Sequence, residues 1–359
     1  MKILVLGLGN IYGGVEKYFL DRLPFLSKLN NLYFGFTDIN NIPYKNELEK
    51  YNCNIINIPQ LRNPINFYKT IKSIIQFNKF EVVYCNVAFS NYLLFKAAHN
   101  AGARVIVHAH NDKIIFKNKI KQGIFTLYHY IGRYLSDVYI SKSYGCSHQA
   151  IEWVFGVENH AKIRKNSIKL DTYRFNNDIR VLCRKELGIE NNVVLACIGR
   201  LSEQKNQKFL IDIFEKYINQ QPNAKLLIIG NGELEEELKH YVLQKKLLHD
   251  VYFLGVRNDI AYLLQGIDCL VMPSKSEGLG IVAIEAQASG VPCIVSNSFP
   301  CEIAFLPSFT RVSLSDDIDH WIRKIDREIK NQRVNDISII EDNGYKIDED
   351  LASYKEFFG

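Results

Sequence analysis

Short apolar runs alternate with longer amphipathic segments through the first half of the chain. Runs typical of buried strands occupy residues 3–7, 32–36, 81–85 and 103–109. A further strand is expected over residues 139–140, leading into Ser141, and residues 15–29 have the apolar spacing of a helix. Strands separated by helical segments indicate a parallel sheet with helices wound on both faces.

The same alternation restarts near residue 193 and predicts a second α/β unit. Its predicted strands occupy residues 193–198, 225–229, 251–254, 269–272 and 293–296. Helices are expected over residues 206–219, after Gly232 where the segment is acidic, and over 281–288, which Gly290 and Pro292 terminate. We therefore place a domain boundary near residue 172. Residues 348–358 carry Leu351, Tyr354 and Phe358 on one side, which predicts a final helix.

The composition narrows the class of protein. The chain has 359 residues, of which 47% are apolar and 23% charged, as in a two-domain globular protein of the cytoplasm. It contains no run of about 18 apolar residues that would predict a membrane-spanning helix. The N-terminus is interrupted by Gly7 too soon for a signal peptide. Eight scattered cysteines without a C-x-x-C pair indicate reduced core thiols rather than zinc ligands or disulfides.

Charge is distributed unevenly along the chain. Residues 1–175 contain 23 Lys and Arg against 11 Asp and Glu, a balance of +12, whereas the remainder has 21 against 28, a balance of −7. A basic first half can face an anionic membrane or an anionic acceptor. The lysines are dispersed among tyrosines and asparagines without a nucleic-acid-binding motif, so no nucleic-acid partner is expected.

Residues 273–286 carry the strongest candidate chemistry, because they follow a predicted strand and open a predicted helix. Gly278 and Gly280 leave backbone N–H groups exposed to an anion, and the helix N-terminus adds partial positive charge. Glu277 precedes the helix and Glu285 lies about two turns into it, where carboxylates can accept hydrogen bonds from sugar hydroxyls. The alternative is a glycine turn before an ordinary core helix.

Residues 199–206 form a second candidate after the strand at 193–198. Arg200 and Lys205 are permanent cations five residues apart at a strand end, which suits a pyrophosphate. The alternative is a solvated loop with incidental cations.

Two weaker candidates lie in the first half. The glycine loop at residues 7–14 is similar to a dinucleotide fingerprint, with Asp38 as the ribose acid, but Tyr12 stands where the third glycine is needed. Gly13 and Gly14 can instead allow close approach of backbone to a substrate. His108 and His110 end a strand on one face, where they are either metal ligands or hydrogen-bonded structural residues.

Together these residues resemble glycosyltransferase family 4, a group of retaining enzymes with the two-lobed GT-B fold. The resemblance covers nearly the whole chain, and its most specific element is Glu277 and Glu285 inside Ser-Glu-Gly-Leu-Gly-x(4)-Glu-Ala. Gly199-Arg200 with Gln204-Lys205-Asn206 is nearly as specific. Further matches are Ile229-Gly230-Asn231-Gly232-Glu233, Phe253-Leu254-Gly255, Gly13-Gly14-Val15-Glu16, His108-Ala109-His110-Asn111 and Gly145-Cys146-Ser147. The closest likeness, on residues 152–156 and 344–347, is to enzymes that assemble bacterial capsular polysaccharide or exopolysaccharide.

The resemblance implies an α/β fold of two Rossmann-like doubly wound domains facing a cleft. Residues 1–172 would form the acceptor-side domain, to which a final helix at about 345–359 crosses back, and residues 173–344 the nucleotide-sugar domain. Arg200 and Lys205 would hold the donor diphosphate, and Glu285 the ribose. The sugar would contact catalytic Glu277 and the helix start. The other implied site residues are His110 at the reacting centre, Gly13 and Gly14 lining the cleft, Val256 and Arg257 beside the base, and Gly278, Leu279, Gly280 and Ile281 at the helix start.

The implied partners follow from the same resemblance. The co-substrate would be a nucleotide-diphosphate sugar, with uridine the commonest base, and the acceptor a saccharide or a polyprenyl-diphosphate-linked saccharide. No cofactor is implied, and no metal, because Arg200 and Lys205 supply the positive charge. One departure is Asn166-Ser167-Ile168, where many relatives have glycine in the second place.

Three alternatives remain open at this point. A nicotinamide-dependent oxidoreductase would use residues 7–14 and Asp38, but it leaves the cations and carboxylates of the second half without roles. A catalytically inactive scaffold of a polysaccharide assembly complex is disfavoured by the intact site residues. A nucleotide-sugar epimerase or hydrolase could share the donor domain.

Lysines interleaved with apolar residues follow His110. The lysines are Lys113, Lys117, Lys119 and Lys121, and the apolar residues are Ile114, Ile115, Phe116 and Ile120. The segment is either a core-packed helix with a solvated lysine face or a surface that rests on the anionic inner leaflet. The second interpretation predicts a peripheral membrane protein.

Overall fold

Two parallel sheets organise the chain. The computed structural model describes every residue except 11–12, 116–117, 158, 334–335, 349–350, 352–357 and 359. The chain divides into one unit of Met1–Ser167 with Ile347–Gly359 and a second unit of Ile168–Lys346.

The described residues of the first unit form a seven-stranded sheet with all neighbours parallel. Its strands are β1 (Lys2–Leu6), β2 (Asn31–Phe36), β3 (Asn54–Asn57), β4 (Val82–Val87), β5 (Arg104–Ala109), β6 (Lys142–Gly145) and β7 (Lys162–Ile163). They lie in the order β3-β2-β1-β4-β5-β6-β7. Strand β4 is buried at every position, as expected for a central strand covered by helices on both faces.

Seven helices connect these strands in the described part of the first unit. They are α1 (Gly14–Leu20), α2 (Leu23–Leu29), α3 (Lys45–Lys50), α4 (Pro64–Asn78), α5 (Tyr92–Asn100), α6 (Lys119–Leu135) and α7 (His148–Phe155). Asparagine or serine side chains cap α4, α5, α6 and α7 by accepting a backbone N–H bond of the first turn.

The second unit contains a six-stranded parallel sheet in its described residues. The strands are β8 (Val193–Ile198), β9 (Ala224–Ile229), β10 (Val251–Gly255), β11 (Cys269–Met272), β12 (Cys293–Ser296) and β13 (Phe309–Val312). The helices are α8 (Asn177–Leu187), α9 (Gln207–Ile218), α10 (Glu235–Gln244), α11 (Ile260–Gly266), α12 (Ile281–Ala288), α13 (Ile318–Ile329) and α14 (Ser338–Asp342). The strand order is β10-β9-β8-β11-β12-β13.

Each sheet reverses its strand order once, between β1 and β4 in the first unit and between β8 and β11 in the second. This is the topology of a doubly wound Rossmann-like fold, and ligands bind beyond the carboxyl ends of the strands at such a switch point. The predicted fold class of two Rossmann-like α/β domains is confirmed. The loops that carry the strongest sequence motifs follow β8 and β11, the two strands of the second switch point.

The structure corrects two predicted elements. Residues 15–29 form two helices, α1 and α2, because Pro24 in the first turn of α2 has no N–H to continue α1. Residues 137–139 are a 3-10 helix, and the strand expected at 139–140 begins only at Lys142.

The segment after His110 also differs from a core-packed helix. Helix α6 starts at Lys119, so Lys113, Ile114 and Ile115 lie outside it, while Phe116 and Lys117 lie outside the described residues. The side chain of Ile120 is 76% exposed.

The C-terminal residues that the structure describes belong to the first unit. Leu351 and Phe358 are helical and contribute to its core, and Phe358 O accepts a bond of 2.6 Å from Arg104 Nη2. Tyr354 lies outside the described residues.

The eight cysteines are unpaired, and all but Cys301 are buried. Burial raises the pKa of the Cys197 thiol to about 12, which keeps it protonated. Within the described ranges, no helix is long and apolar enough to cross a membrane.

Candidate functional site

The loops after β8 and β11 are bonded into one structure at the switch point of the second unit. Lys275 N donates to Gln204 O at 2.7 Å, and Gln204 Nε2 donates to Ser276 O at 3.0 Å. Asn206 Nδ2 adds a bond of 3.0 Å to Pro273 O. Main chain and side chain therefore hold the two loops in a single arrangement. We call residues 199–206 and 273–281 the switch-point site.

Glycines allow the first of these loops to pack on its neighbour after β9. A Cβ atom on Gly230 would lie 2.1 Å from Gly199 O, and one on Gly232 would lie 2.2 Å from Leu201 O. The backbones are close enough for Leu201 N to donate to Asn231 O at 2.8 Å. The motif Gly230-Asn231-Gly232 thus positions the loop that carries Arg200.

An ion pair joins the two loops at the centre of the site. Lys205 Nζ lies 2.5 Å from Glu277 Oε1, and the Ser274 hydroxyl donates to the same oxygen at 2.7 Å. Glu277 is only 4% exposed, so the pair is shielded from water. The loop geometry brings together the lysine and the carboxylate that the sequence predicted separately. The Arg200 side chain, on the first of the two loops, is exposed.

Helix α12 begins at Ile281, four residues after Glu277. Gly280 precedes it with φ of +81°, and a Cβ atom there would lie 2.4 Å from the Phe299 ring, so both conformation and space require glycine. Gly278 and Leu279 are buried in the same turn, and Ile281 is half-buried. The first N–H groups of the helix and its positive dipole end face the start of this turn.

Glu285 is also buried, little more than one turn into α12. Tyr173 Oη donates to Glu285 Oε1 at 2.6 Å, which holds the carboxylate in place. Sequence reasoning missed Tyr173, because 112 residues separate the partners and no motif joins them.

The residues predicted beside a base follow β10. Val256 is 43% exposed, and Arg257 forms two bonds with the Asp259 carboxylate, of 2.8 and 2.5 Å. This pair fixes the guanidinium next to an exposed apolar side chain, a surface on which a planar ring can stack.

The first unit holds a buried histidine pair at the end of β5. His110 Nε2 lies 3.0 Å from Asn86 Oδ1, and Asn86 Nδ2 donates to Leu6 O at 3.0 Å. Because the amide nitrogen is directed to Leu6, its oxygen accepts from His110 and Nε2 carries the proton. His110 Nδ1 is then the acceptor nitrogen, 3.5 Å from Asn166 Nδ2.

Both histidines of the pair are neutral. Burial, together with the smaller effect of the charge of Arg22, lowers the pKa of His110 to about 3. Burial also lowers the pKa of His108, whose Nδ1 is 2.7 Å from Tyr84 Oη. With Asn86 and Tyr84 as their partners, these rings are hydrogen-bonded side chains rather than a metal-ligand pair. In the part of the chain that the structure describes, no group of three or more His, Cys, Asp or Glu is placed to hold a metal ion.

Arg22 is a buried cation that the sequence did not single out. Its guanidinium donates to Tyr18 O at 2.8 Å and to Ser167 O and Oγ at 3.0 and 2.7 Å. The departure from the family pattern at Ser167 therefore supplies an acceptor for Arg22. The break between α1 and α2 creates the position from which Arg22 reaches it.

The glycine loop after β1 is hydrogen-bonded to a side chain of the helix that follows it, α1. Glu16, in the first turn of α1, accepts from Gly9 N at 2.7 Å with Oε1, and its Oε2 would lie 2.9 Å from a Cβ atom on Gly13. A carboxylate thus occupies the helix start where a dinucleotide phosphate would bind, which disfavours the nicotinamide alternative. Gly14 is the first residue of α1, and Asp38 is exposed. Tyr12 lies outside the described residues.

Comparisons with known proteins agree with this topology. Residues 182–346 match the family model for glycosyl transferases group 1. The chain is 29% identical to the putative glycosyltransferase EpsF of Bacillus subtilis, covering 88% of this chain and 84% of the relative. It is 26% identical to the Escherichia coli UDP-Gal:alpha-D-GlcNAc-diphosphoundecaprenol alpha-1,3-galactosyltransferase, covering 80% of this chain and 78% of that protein. The crystal structure of Anabaena Alr3699/HepE in complex with UDP and glucose superimposes with a TM-score of 0.81 at 18% identity, covering 99% of both chains.

The buried histidines make the stability of the protein dependent on pH. Besides His108 and His110, burial lowers the pKa of His129 to about 4. Below about pH 6.5 the unfolded chain binds protons at these residues that the folded chain does not, so stability is lost as the pH falls. Each histidine is expected to contribute about 1.4 kcal/mol per pH unit to the free energy of unfolding in this range.

Urea unfolding near pH 7 and at about pH 5 measures this loss of stability. His110→Asn should reduce the slope by about one proton, and the exposed His160→Gln should not. A slope unchanged by His110→Asn would contradict a neutral His110.

Proposed function

We propose that the chain is a glycosyl transferase of group 1, the family whose model matches residues 182–346, and that it transfers a sugar from a nucleotide-diphosphate donor, with retention, to a saccharide acceptor carried on a lipid. The observation that carries the proposal is the switch-point site. It combines two cations, a helix N-terminus and a buried carboxylate within two bonded loops.

The proposed donor binding uses the charges of that site. Arg200 and Lys205 bind the diphosphate together with the first N–H groups of α12, since fixed cations and a helix dipole stabilise the charge that develops on the leaving group. These groups supply the positive charge that a metal ion provides in other transferases, so we propose a metal-independent reaction. Glu285, held by Tyr173, accepts bonds from the ribose, and Val256 with Arg257 lies beside the base.

Glu277 is the proposed contact to the transferred sugar. Lys205 and Ser274 both bond to its Oε1, so Oε2 is the oxygen available to a sugar hydroxyl. During transfer, the bond between the anomeric carbon and the diphosphate oxygen breaks, and a bond to the acceptor oxygen forms. The hydroxyl proton of the acceptor leaves with the nucleotide diphosphate or passes to water. The sugar becomes oxocarbenium-like between these events, and a nearby carboxylate stabilises its positive charge.

His110 is the proposed catalytic residue of the first unit. A neutral imidazole whose acceptor Nδ1 has only a long contact of 3.5 Å, to Asn166 Nδ2, can take a hydrogen bond from a sugar hydroxyl in its place, without adding positive charge beside an oxocarbenium-like ring. Gly13 and Gly14 are proposed to allow close approach of the uncharged sugar of the donor, not of its diphosphate, to the start of α1.

The proposed donor and acceptor classes rest on the relatives. The E. coli relative acts with UDP-Gal on a diphosphoundecaprenol-linked saccharide, and the Anabaena structure holds UDP and glucose. We therefore propose a UDP-sugar donor and a polyprenyl-diphosphate-linked acceptor in the synthesis of a bacterial surface polysaccharide. The reaction would then take place at the cytoplasmic face of the membrane.

A donor screen tests the function directly. The purified protein is incubated with UDP-, GDP-, ADP- and dTDP-sugars and polyprenyl-diphosphate-linked saccharides, and products are identified by mass. One UDP-sugar should be consumed with addition of one sugar to the acceptor. Activity should persist in excess chelator, and restoration of lost activity by a divalent ion would contradict the metal-free assignment. Failure to consume any nucleotide sugar would overturn the proposal.

Loss of either cation is expected to slow turnover. Arg200→Ala and Lys205→Ala should each lower kcat by about two to three orders of magnitude, in line with the loss of one charge-stabilising group. Lys208→Ala is the matched control, because Lys208 is an exposed cation three residues away on α9. It should leave kcat within about twofold. Unchanged turnover in both site variants would exclude them from the site.

The two buried glutamates should have different kinetic effects. Glu277→Gln should mainly lower kcat, because it contacts the reacting sugar, whereas Glu285→Gln should mainly raise KM, because ribose contacts persist throughout the reaction. Tyr173→Phe, which removes the hydroxyl that holds Glu285, should also raise KM. Steady-state kinetics with the donor identified in the screen measures both parameters. Equal effects of the two glutamine variants would contradict the assigned roles.

A further inference from the structure

Helix α6 carries an apolar stripe on its solvent side. Its members, with exposed fractions, are Ile120 (76%), Ile124 (67%), Leu127 (63%), Ile131 (49%) and Tyr134 (88%). They recur every three or four residues, so at about 100° per residue they fall within about 80° of one another. The stripe extends along about 21 Å of helix.

The opposite side of α6 anchors it to the first unit and fixes the direction of the stripe. His129 stacks on Trp153 with ring centroids 3.9 Å apart and accepts from Ser90 N at 3.1 Å. Gly132 lies so close to this loop that a Cβ atom would be 2.7 Å from Ser90 O. The exposed stripe is therefore a consequence of rigid packing on the other face.

The charged residues of helix α6 itself, Lys119, Lys121 and Arg133, are all basic, and the exposed Asp137 follows the helix. From residue 113 to residue 136 the sequence has five basic residues and no acidic one. Lys119 and Lys121 are exposed and lie about 100° to either side of the centre of the stripe, so their apolar stems flank it. Arg133 is turned toward the protein and donates to Glu152 O at 3.3 Å. The apolar surface continues past the helix at Val138, which is 74% exposed.

We propose that α6 lies in the interface of an anionic lipid bilayer, with the stripe among the acyl chains and Lys119 and Lys121 at the phosphate groups. A convex basic amphipathic helix with an apolar stripe matches that surface in both polarity and charge. The reason for such a contact rests on the proposed function, because an acceptor carried on a lipid requires the enzyme to work at the membrane. It assigns the contact to the stripe of α6 rather than to the lysine-rich segment that begins at Lys113.

A second copy of the chain is the main competing occupant. The spacing of the stripe is also that of a coiled-coil seam. A parallel pairing of two α6 helices, however, would place Lys119 and Lys121 beside the same residues of the other copy without an acidic partner on either helix. The charges therefore favour an anionic bilayer over a second copy of the chain as the partner of the stripe. The experiment below also measures the oligomeric state.

The experiment measures co-sedimentation of the full chain with vesicles of phosphatidylcholine alone or with added phosphatidylglycerol. We expect binding that rises with phosphatidylglycerol and falls with salt. Ile124→Ser with Leu127→Ser should weaken it more than about tenfold, since two inserted side chains are lost. Ile65→Ser with Phe77→Ser is the matched control, because these residues of α4 are 70% and 86% exposed, and it should bind like the unaltered protein.

A second pair of variants tests the charge. Lys119→Gln with Lys121→Gln should weaken binding at low salt by about tenfold or more and reduce its salt dependence. Circular dichroism and urea midpoints verify folding; should the serine variant fail to fold, the lysine variant and Leu127→Ser alone still decide the proposal.

Two results would overturn the inference. One is vesicle binding that is absent at low salt or equal in the stripe and control variants. The other is a lipid-independent dimer, seen by analytical ultracentrifugation, that the stripe variant dissociates. Calorimetric binding of UDP-sugars separates this test from the proposed function. Donor binding without vesicle binding rejects only the membrane contact, and vesicle binding without binding of any nucleotide sugar rejects the proposed reaction.

Discussion

The ion pair between Lys205 and Glu277 depends on the order of the strands in the second sheet. The two residues are 72 positions apart in the chain, yet their charged atoms are 2.5 Å apart. Only because β8 and β11 are neighbours do the loops after them meet at one edge of the sheet. A carboxylate buried in this way needs a partner charge, so the pair requires both loops to keep their positions.

The bonds around that pair explain how the loops keep those positions. The Gln204 and Asn206 side chains join the loops, and Gly230 lets the first loop rest directly on its neighbour. Preorganised charges stabilise a transition state more effectively than mobile ones, because they need not reorient during the reaction. The glycines and amides of this region therefore contribute to the proposed chemistry through the geometry that they impose.

Much of this architecture could be predicted from the sequence, and the failures have physical causes. The strands at 193–198, 269–272 and 293–296 were predicted with their observed bounds, because each is a buried apolar run between polar or glycine-containing loops. Strand β3 was missed because its residues are exposed or half-buried, which leaves no apolar run.

The candidate site residues also divide into those that local motifs revealed and those that they did not. Arg200, Lys205, Glu277 and Glu285 were recognised from local motifs. The partners Tyr173 and Asn86 were not, because their bonds to Glu285 and His110 span 112 and 24 residues. Such contacts depend on the strand order, which local spacing does not reveal. The positive charge of the first half of the chain is also distributed in a way that the sequence does not reveal. The guanidinium of buried Arg22 is hydrogen-bonded to Tyr18 and Ser167, and His110 is neutral. The surroundings of His110 therefore offer little positive charge to an anion. The excess positive charge of this half lies instead in surface lysines such as those beside the α6 stripe. An anionic partner of the first unit is therefore expected at that surface, whereas the diphosphate is expected at the cations of the second.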